Sequence, residues 1–126
     1  MRTLAAVLKA LSDETRLAML GLVLREGELC VCDFVAVLGV TQSKASRHLR
    51  YLVNAGLLQD RREAVWVHYR LVETPGPVHA AVLAALREIV PGALPAGLTR
   101  AVAQRRRARG GGDCPPPAAT ARRRRR

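Results

Sequence analysis

The chain has 126 residues, which sets one domain as the expectation, and 49% of them are apolar while only Phe34, Tyr51, Trp66 and Tyr69 are aromatic. Its net charge of +11 is unevenly placed: residues 1–99 hold 11 Lys and Arg against nine acids, and residues 100–126 hold ten Arg against one acid, so the basic total says little about the globular part. No apolar run is long enough to span a bilayer, no basic-then-apolar leader opens the chain, and three cysteines are an odd number, which together argue against a membrane or secreted protein and for thiols in a reducing cytoplasm.

In chain order, Thr3 to Leu11 places Leu4, Val7, Leu8 and Leu11 at helical spacing, and Ser12 or Asp13 then caps a second helix from Glu14 to Arg25 with Leu17, Leu20 and Leu24 as its stripe. Two short helices joined by a tight turn follow between Glu28 and Ala55. On the first, Val31, Phe34, Val35 and Leu38 face a core. Gly39-Val40 supplies the turn and Thr41 the N-cap of the second. On that second helix Ala45, Leu49 and Leu52 make the buried stripe, leaving Gln42, Ser43, Lys44, Ser46, Arg47 and Arg50 largely outside, with His48 beside them. An outward face of cations and hydrogen-bonding side chains without an acid until Asp60 suits the major groove of DNA, although a solvated amphipathic helix would share the pattern.

Asn54-Ala55-Gly56 ends the helix, with Gly56 as the left-handed residue. The period then changes to alternation, and Leu57–Arg62 and Val65–Leu71 read as an antiparallel hairpin. Its tip, with Arg61 and Arg62, is placed to meet phosphates of the adjacent groove. The tip lacks the Gly or Asn of a two-residue primed turn, so a longer or distorted tip is expected. Pro75-Gly76-Pro77 breaks the chain before a last helix, Val78–Val90, with Val78, Val82, Leu86 and Ile89 on one face and with Pro91 and Pro95 as its stop. The two terminal helices each carry more apolar surface than a small core needs, which points to pairing with a second copy. Beyond, Arg105-Arg106-Arg107, Gly110-Gly111-Gly112, Pro115-Pro116-Pro117 and Arg122 to Arg126 are low-complexity. The expected division is therefore an ordered domain over 1–95 and an Arg-rich disordered tail over 96–126, either a plain solvated extension or one attracted to phosphate without regard to sequence.

Four stretches carry a resemblance over residues 3–90: Leu11-Ser12-Asp13-Glu14-Thr15-Arg16-Leu17, Glu28-Leu29-Cys30-Val31-Cys32-Asp33, Ser43-Lys44-Ala45-Ser46-Arg47-His48-Leu49 and Trp66-Val67-His68-Tyr69-Arg70-Leu71. In order and spacing they resemble the arsenical-resistance repressors of the ArsR/SmtB family. The resemblance implies a mainly α winged helix-turn-helix with a β-hairpin wing, homodimeric through its terminal helices. It further implies binding to double-stranded operator DNA through Gln42, Ser43, Lys44, Ser46, Arg47, His48, Arg50, Arg61 and Arg62, and release when As(III) or Sb(III) joins Cys30 and Cys32 as effector. One departure stands out: where these sensors usually carry a third cysteine, three residues after the second, this chain has Val35. A second group of relatives binds zinc-like metals between terminal helices, but His79 has no partners at useful spacing there.

As(III) and Sb(III) are soft, and thiolate is the soft side chain. Positions two apart on a regular helix point about 200 degrees apart, so Cys30 and Cys32 are expected to chelate only if the start of that helix unwinds. Buried small apolar side chains are the plain alternative for the pair. Cys114, in the tail, is an incidental thiol or a third ligand. Three other functions compete with a metalloid-released repressor. The same DNA-binding dimer could answer to thiol oxidation, to another soft metal or to no trigger. A small thiol enzyme is opposed by the Cys-x-Cys spacing and by the negative charges of Glu28 and Asp33. A basic RNA-binding protein is suggested by the tail alone. The residues hold no catalytic constellation and imply no catalytic cofactor.

Overall fold

The computed structural model describes residues 1–109, and within them the elements are α1 Arg2–Leu11, α2 Glu14–Glu26, β1 Glu28–Cys30, α3 Val31–Leu38, α4 Gln42–Asn54, β2 Leu58–Glu63, β3 Trp66–Leu71, α5 Pro77–Ala93 and α6 Ala96–Arg109. Helix α2 starts where expected, since the Asp13 carboxylate accepts the Arg16 backbone N–H at 3.0 Å. It is the central helix: Met19, Leu20, Leu22 and Val23 are all but sealed from solvent. Gly21 admits α5 against it, because a β-carbon there would stand 2.4 Å from Val90 Cγ1.

Helix α3 ends at Gly39 in the left-handed region (φ +68°), and Thr41 Oγ1 accepts the Lys44 N–H at 3.1 Å to begin α4. Ala45, Leu49 and Leu52 of α4 are fully buried in a core shared with Phe34 of α3. Each large apolar side chain removed from water in this way contributes about 1.5–3 kcal/mol. Gly56 (φ +83°) closes α4. Its bare α-carbon leaves room for His79, whose Nε2 sits 2.8 Å from the Ala55 carbonyl. His79 is thus a satisfied structural histidine of α5.

The sheet is antiparallel in the order β1-β3-β2. The wing pairs β2 with β3 from Leu58↔Leu71 to Glu63↔Trp66, so its tip is the two-residue link Ala64-Val65. The tip is not longer than that, but it is distorted, with Ala64 at φ +56°. Strand β1 was not expected. It pairs Glu28↔Arg70, Leu29↔Tyr69 and Cys30↔His68 with β3, holding the entrance of α3 against the wing.

Two expectations at the C-terminal end are corrected. Helix α5 does not stop at Val90: it runs through Pro91 to Ala93, and the Leu94 N–H closes it on the Val90 carbonyl at 2.9 Å. Its buried residues are Leu83 and Val90, with Val82 and Leu86 packed on the core, whereas Ile89, expected on one face with Val82 and Leu86, is 63% exposed. The boundary at 95/96 falls within ordered structure, because residues 96–109 form α6, bent 95° from α5. The physical reason is a short apolar side, with Val102 1% exposed and Leu98 packed on the core, reinforced by ion pairs to α2 and α3. The rest of the expected tail, with Cys114, lies outside the described residues. Among the described residues no single helix is long and apolar enough to cross a membrane.

Candidate functional site

The thiol pair stands at the junction of β1 and α3. Cys30 is the last residue of β1 and the N-cap of α3, with extended backbone (φ −82°, ψ 154°), and Cys32 lies in the first turn of the helix. Because only one of the two is helical, the angular argument against their meeting does not apply. Their sulfurs are 3.0 Å apart with the helix intact, so the expected unwinding is not needed to bring them together. That separation exceeds an S–S bond of about 2.05 Å. It is shorter than the span of two thiolates on one ion, each at roughly 2.3 Å, so the sulfurs would part slightly to take one.

A reciprocal cap fixes this geometry. Cys30 Sγ accepts the Cys32 N–H at 3.4 Å, and Asp33 Oδ2 accepts the Cys30 N–H at 2.9 Å. Asp33 is 3% exposed, and its other oxygen accepts from Arg105 Nε of α6 at 2.9 Å. Glu28, two residues before Cys30, is held below the ordinary carboxylate range by its bonds to Arg61. Both acids expected to oppose a thiolate are therefore offset by arginines. Cys30 is 2% exposed, and Cys32 is partly exposed and disulfide-bonded, so Cys32 must be reduced before it can serve as a thiolate. Among the described residues no group of three or more Cys, His, Asp or Glu is placed to hold a metal ion, so the described soft donors stop at the two cysteine sulfurs.

Helix α4 turns Ser43, Lys44, Arg47 and Arg50 to solvent, with Gln42, Ser46 and His48 half-buried at its flanks. Arg50 is committed to Asp60 at 3.3 Å. On the wing Arg61 is bonded to both Glu28 and Glu63, each at 2.8 Å, while Arg62 is exposed at the tip side. The cations that α4 and the wing present outward are thus led by Lys44, Arg47 and Arg62.

Two residues missing from the sequence-based set belong to this face. Arg16, at the start of α2, donates from Nε to the Ala10 carbonyl at 2.6 Å, lies 3.3 Å from His48 Nδ1, and stacks 4.1 Å over the Tyr51 ring. With Lys44 and Arg47 these residues line a concavity of about 270 Å³. Arg16 ties the end of α1 to the middle of α4. The one signal in the sequence was an arginine in the first turn of a helix, where a cation is unfavourable unless it has another task.

The family model described as bacterial regulatory protein, arsR family, matches residues 13–60. The arsenic resistance transcriptional regulator ArsR1 of Pseudomonas putida is 54% identical over 65 residues, 52% of this chain and 51% of that protein. The arsenical resistance operon repressor of Escherichia coli K12 is 54% identical over 63 residues, 50% of this chain and 54% of that protein. The chain therefore spans about half the length of these curated relatives. Among solved structures, HlyU from Vibrio cholerae superimposes with a TM-score of 0.59 at 32% identity, covering 70% of this chain and 91% of HlyU. The homodimeric winged helix-turn-helix DNA-binding domain of Mb0332 from Mycobacterium bovis gives 0.59 at 31%, covering 75% and 83%. The AntR antimony-specific transcriptional repressor gives 0.56 at 29%, covering 71% and 78%. These likenesses are to transcriptional regulators and not to enzymes. By the matched residues, the shared winged-helix architecture and these identities, the chain belongs to the arsR family of bacterial regulatory proteins.

Proposed function

We propose that this chain is a cytoplasmic, homodimeric repressor that holds operator DNA with α4 and the wing and lets it go when trivalent arsenic or antimony joins Cys30 to Cys32. The observation that carries the reading is the convergence of two sulfurs, 3.0 Å apart, at the N-cap of α3. A helix N-terminus favours negative charge, and thiolate is the form that binds a soft ion. Relatives named for arsenical resistance and a structural neighbour named for antimony support the choice of effector.

The route from thiols to DNA is short. Cys30 and Cys32 would hold the ion, and drawing both sulfurs onto it re-sets the N-cap from which α3 departs. Phe34 of α3 is fully buried in the core that also holds Ala45 and Leu49 of α4, so a shift of α3 is passed to α4 by contact. DNA affinity falls if the ion favours the α3 position in which α4 no longer matches the groove. Dimerisation is supported by the exposed Leu4 and Leu8 of α1 and Ile89 of α5, apolar side chains that a second copy would cover, and by the homodimeric neighbour.

The same close sulfurs favour one second reading, release by thiol oxidation. The experiment that tests both is retention of an operator fragment by the purified protein in a gel, run with As(III) under a reductant and, separately, with an oxidant and no reductant. The account expects As(III) to abolish retention under the reductant. Release by an oxidant but not by As(III) would put oxidation in its place.

A further inference from the structure

Helix α6 lies beyond the residues that the family model matches, yet one of its arginines reaches the cap of the thiol site. We propose that Arg105 is a positioning residue for the thiol pair, holding Asp33 so that Cys30 and Cys32 face one soft ion; this rests on the metalloid reading above.

Both oxygens of the buried Asp33 carboxylate are committed, Oδ2 to the Cys30 N–H and Oδ1 to Arg105 Nε, each at 2.9 Å. A carboxylate gripped at both ends cannot swing away, so the Cys30 backbone stays at the N-cap and its sulfur stays 3.0 Å from that of Cys32. Arg105 is itself held in place by its helix. Val102, one turn earlier, is 1% exposed, and Arg106 donates to Glu26 Oε1 at 3.0 Å and to the Glu26 carbonyl at 3.4 Å. Groups that orient a ligand without touching the metal tune its affinity about 10–100-fold in other sites. Here the orienting group comes from the far end of the described chain. Lysine in its place would supply a point charge without the planar Nε–H.

The rival account is that Arg105 only fastens α6. Arg106 separates the two, because it also fastens α6 but contacts Glu26. The test uses the full chain as wild type, Arg105→Ala, Arg105→Lys, Asp33→Asn and Arg106→Ala. It has two readouts: hydrogen exchange of the Cys30 amide without any metalloid, and the As(III) dissociation constant by competition with a dithiol. Arg105→Ala and Asp33→Asn should each speed Cys30 exchange and weaken As(III) binding about tenfold or more. Their combination should add little, since they break one chain of contacts. Arg105→Lys should recover only part. Arg106→Ala should leave both readouts within about twofold of wild type, the scatter allowed for an uncoupled site. Wild-type values in Arg105→Ala overturn the proposal, as do equal effects of Arg105→Ala and Arg106→Ala. Cys30→Ser checks the underlying reading separately. If that variant binds As(III) like wild type, the metalloid reading fails, while exchange at the Cys30 amide still decides whether Arg105 holds the cap.

Discussion

Helices α4 and α6 are both rich in arginine, yet they use it in opposite ways. On α4, Arg47 and Lys44 stand outward from a helix whose other side, Ala45, Leu49 and Leu52, is fully buried. On α6, Arg105 and Arg106 turn back onto the protein and meet Asp33 and Glu26. The difference lies in the partners. Helix α4 has no acid of its own and faces solvent, so apart from Arg50, which meets Asp60, its charge is left for an anion from outside. Helix α6 docks beside two carboxylates that are largely buried, and pairing them lowers the cost of their burial. A count of basic residues therefore says little about nucleic acid until each is assigned a carboxylate or none.

The largest effect should come from the inward side. Arg105→Ala leaves Asp33, 3% exposed, without its cation. Removing one partner of a buried pair costs about 3–5 kcal/mol, and the partial exposure of Arg105 brings the expectation to about 2–3 kcal/mol. Urea unfolding should report it as a lower midpoint with unchanged slope. Next comes the outward side. Arg47→Ala and Ser43→Ala should leave that midpoint alone and weaken operator binding by about 1–3 kcal/mol if they contact base edges. Equal weakening on operator and random DNA would assign them to phosphates.

Smaller still is Arg106→Ala. Arg106 is more exposed than Arg105 and Glu26 less buried than Asp33, so the loss should be about 1 kcal/mol or less. A loss as large as that of Arg105→Ala would break the distinction drawn between them. The smallest effect is on the wing and depends on pH. Arg61 lowers the Glu28 carboxyl below its ordinary value of 4.5, and the Arg16 backbone N–H lowers Asp13 below 3.8. A carboxylate with a depressed folded-state pKa adds stability that is complete above its unfolded value and is lost as pH falls through the folded one. The unfolding midpoint should therefore drop in acid below about pH 4.5, and Arg61→Ala should flatten part of that drop.

Much of this architecture is local and so could be read from the chain. The capping residues Asp13 and Thr41, the left-handed Gly39 and Gly56, and the stripe Ala45-Leu49-Leu52 each act within a few residues of themselves. What escaped was non-local. Strand β1 is three residues long and exists because Leu29 pairs with Tyr69, forty positions away. Helix α6 has the composition of a solvated segment, and its order depends on Val102 entering the core and on acids more than seventy residues earlier. The thiol pair was legible, but its geometry was not. The 200-degree argument assumed that both cysteines were helical, and the end of β1 at Cys30 removes one of them from the helix.

The central claim, that Cys30 and Cys32 are the switch, is tested most directly by titrating As(III) into operator complexes of wild type, Cys30→Ser and Cys32→Ser under reducing conditions. Each serine variant is nearly isosteric and should bind the operator as wild type does, but a hydroxyl is a poor ligand for a soft ion. The account predicts that wild type releases the DNA and that both variants hold it throughout the titration. Release from either variant at the wild-type As(III) concentration would place the metalloid elsewhere and contradict the account.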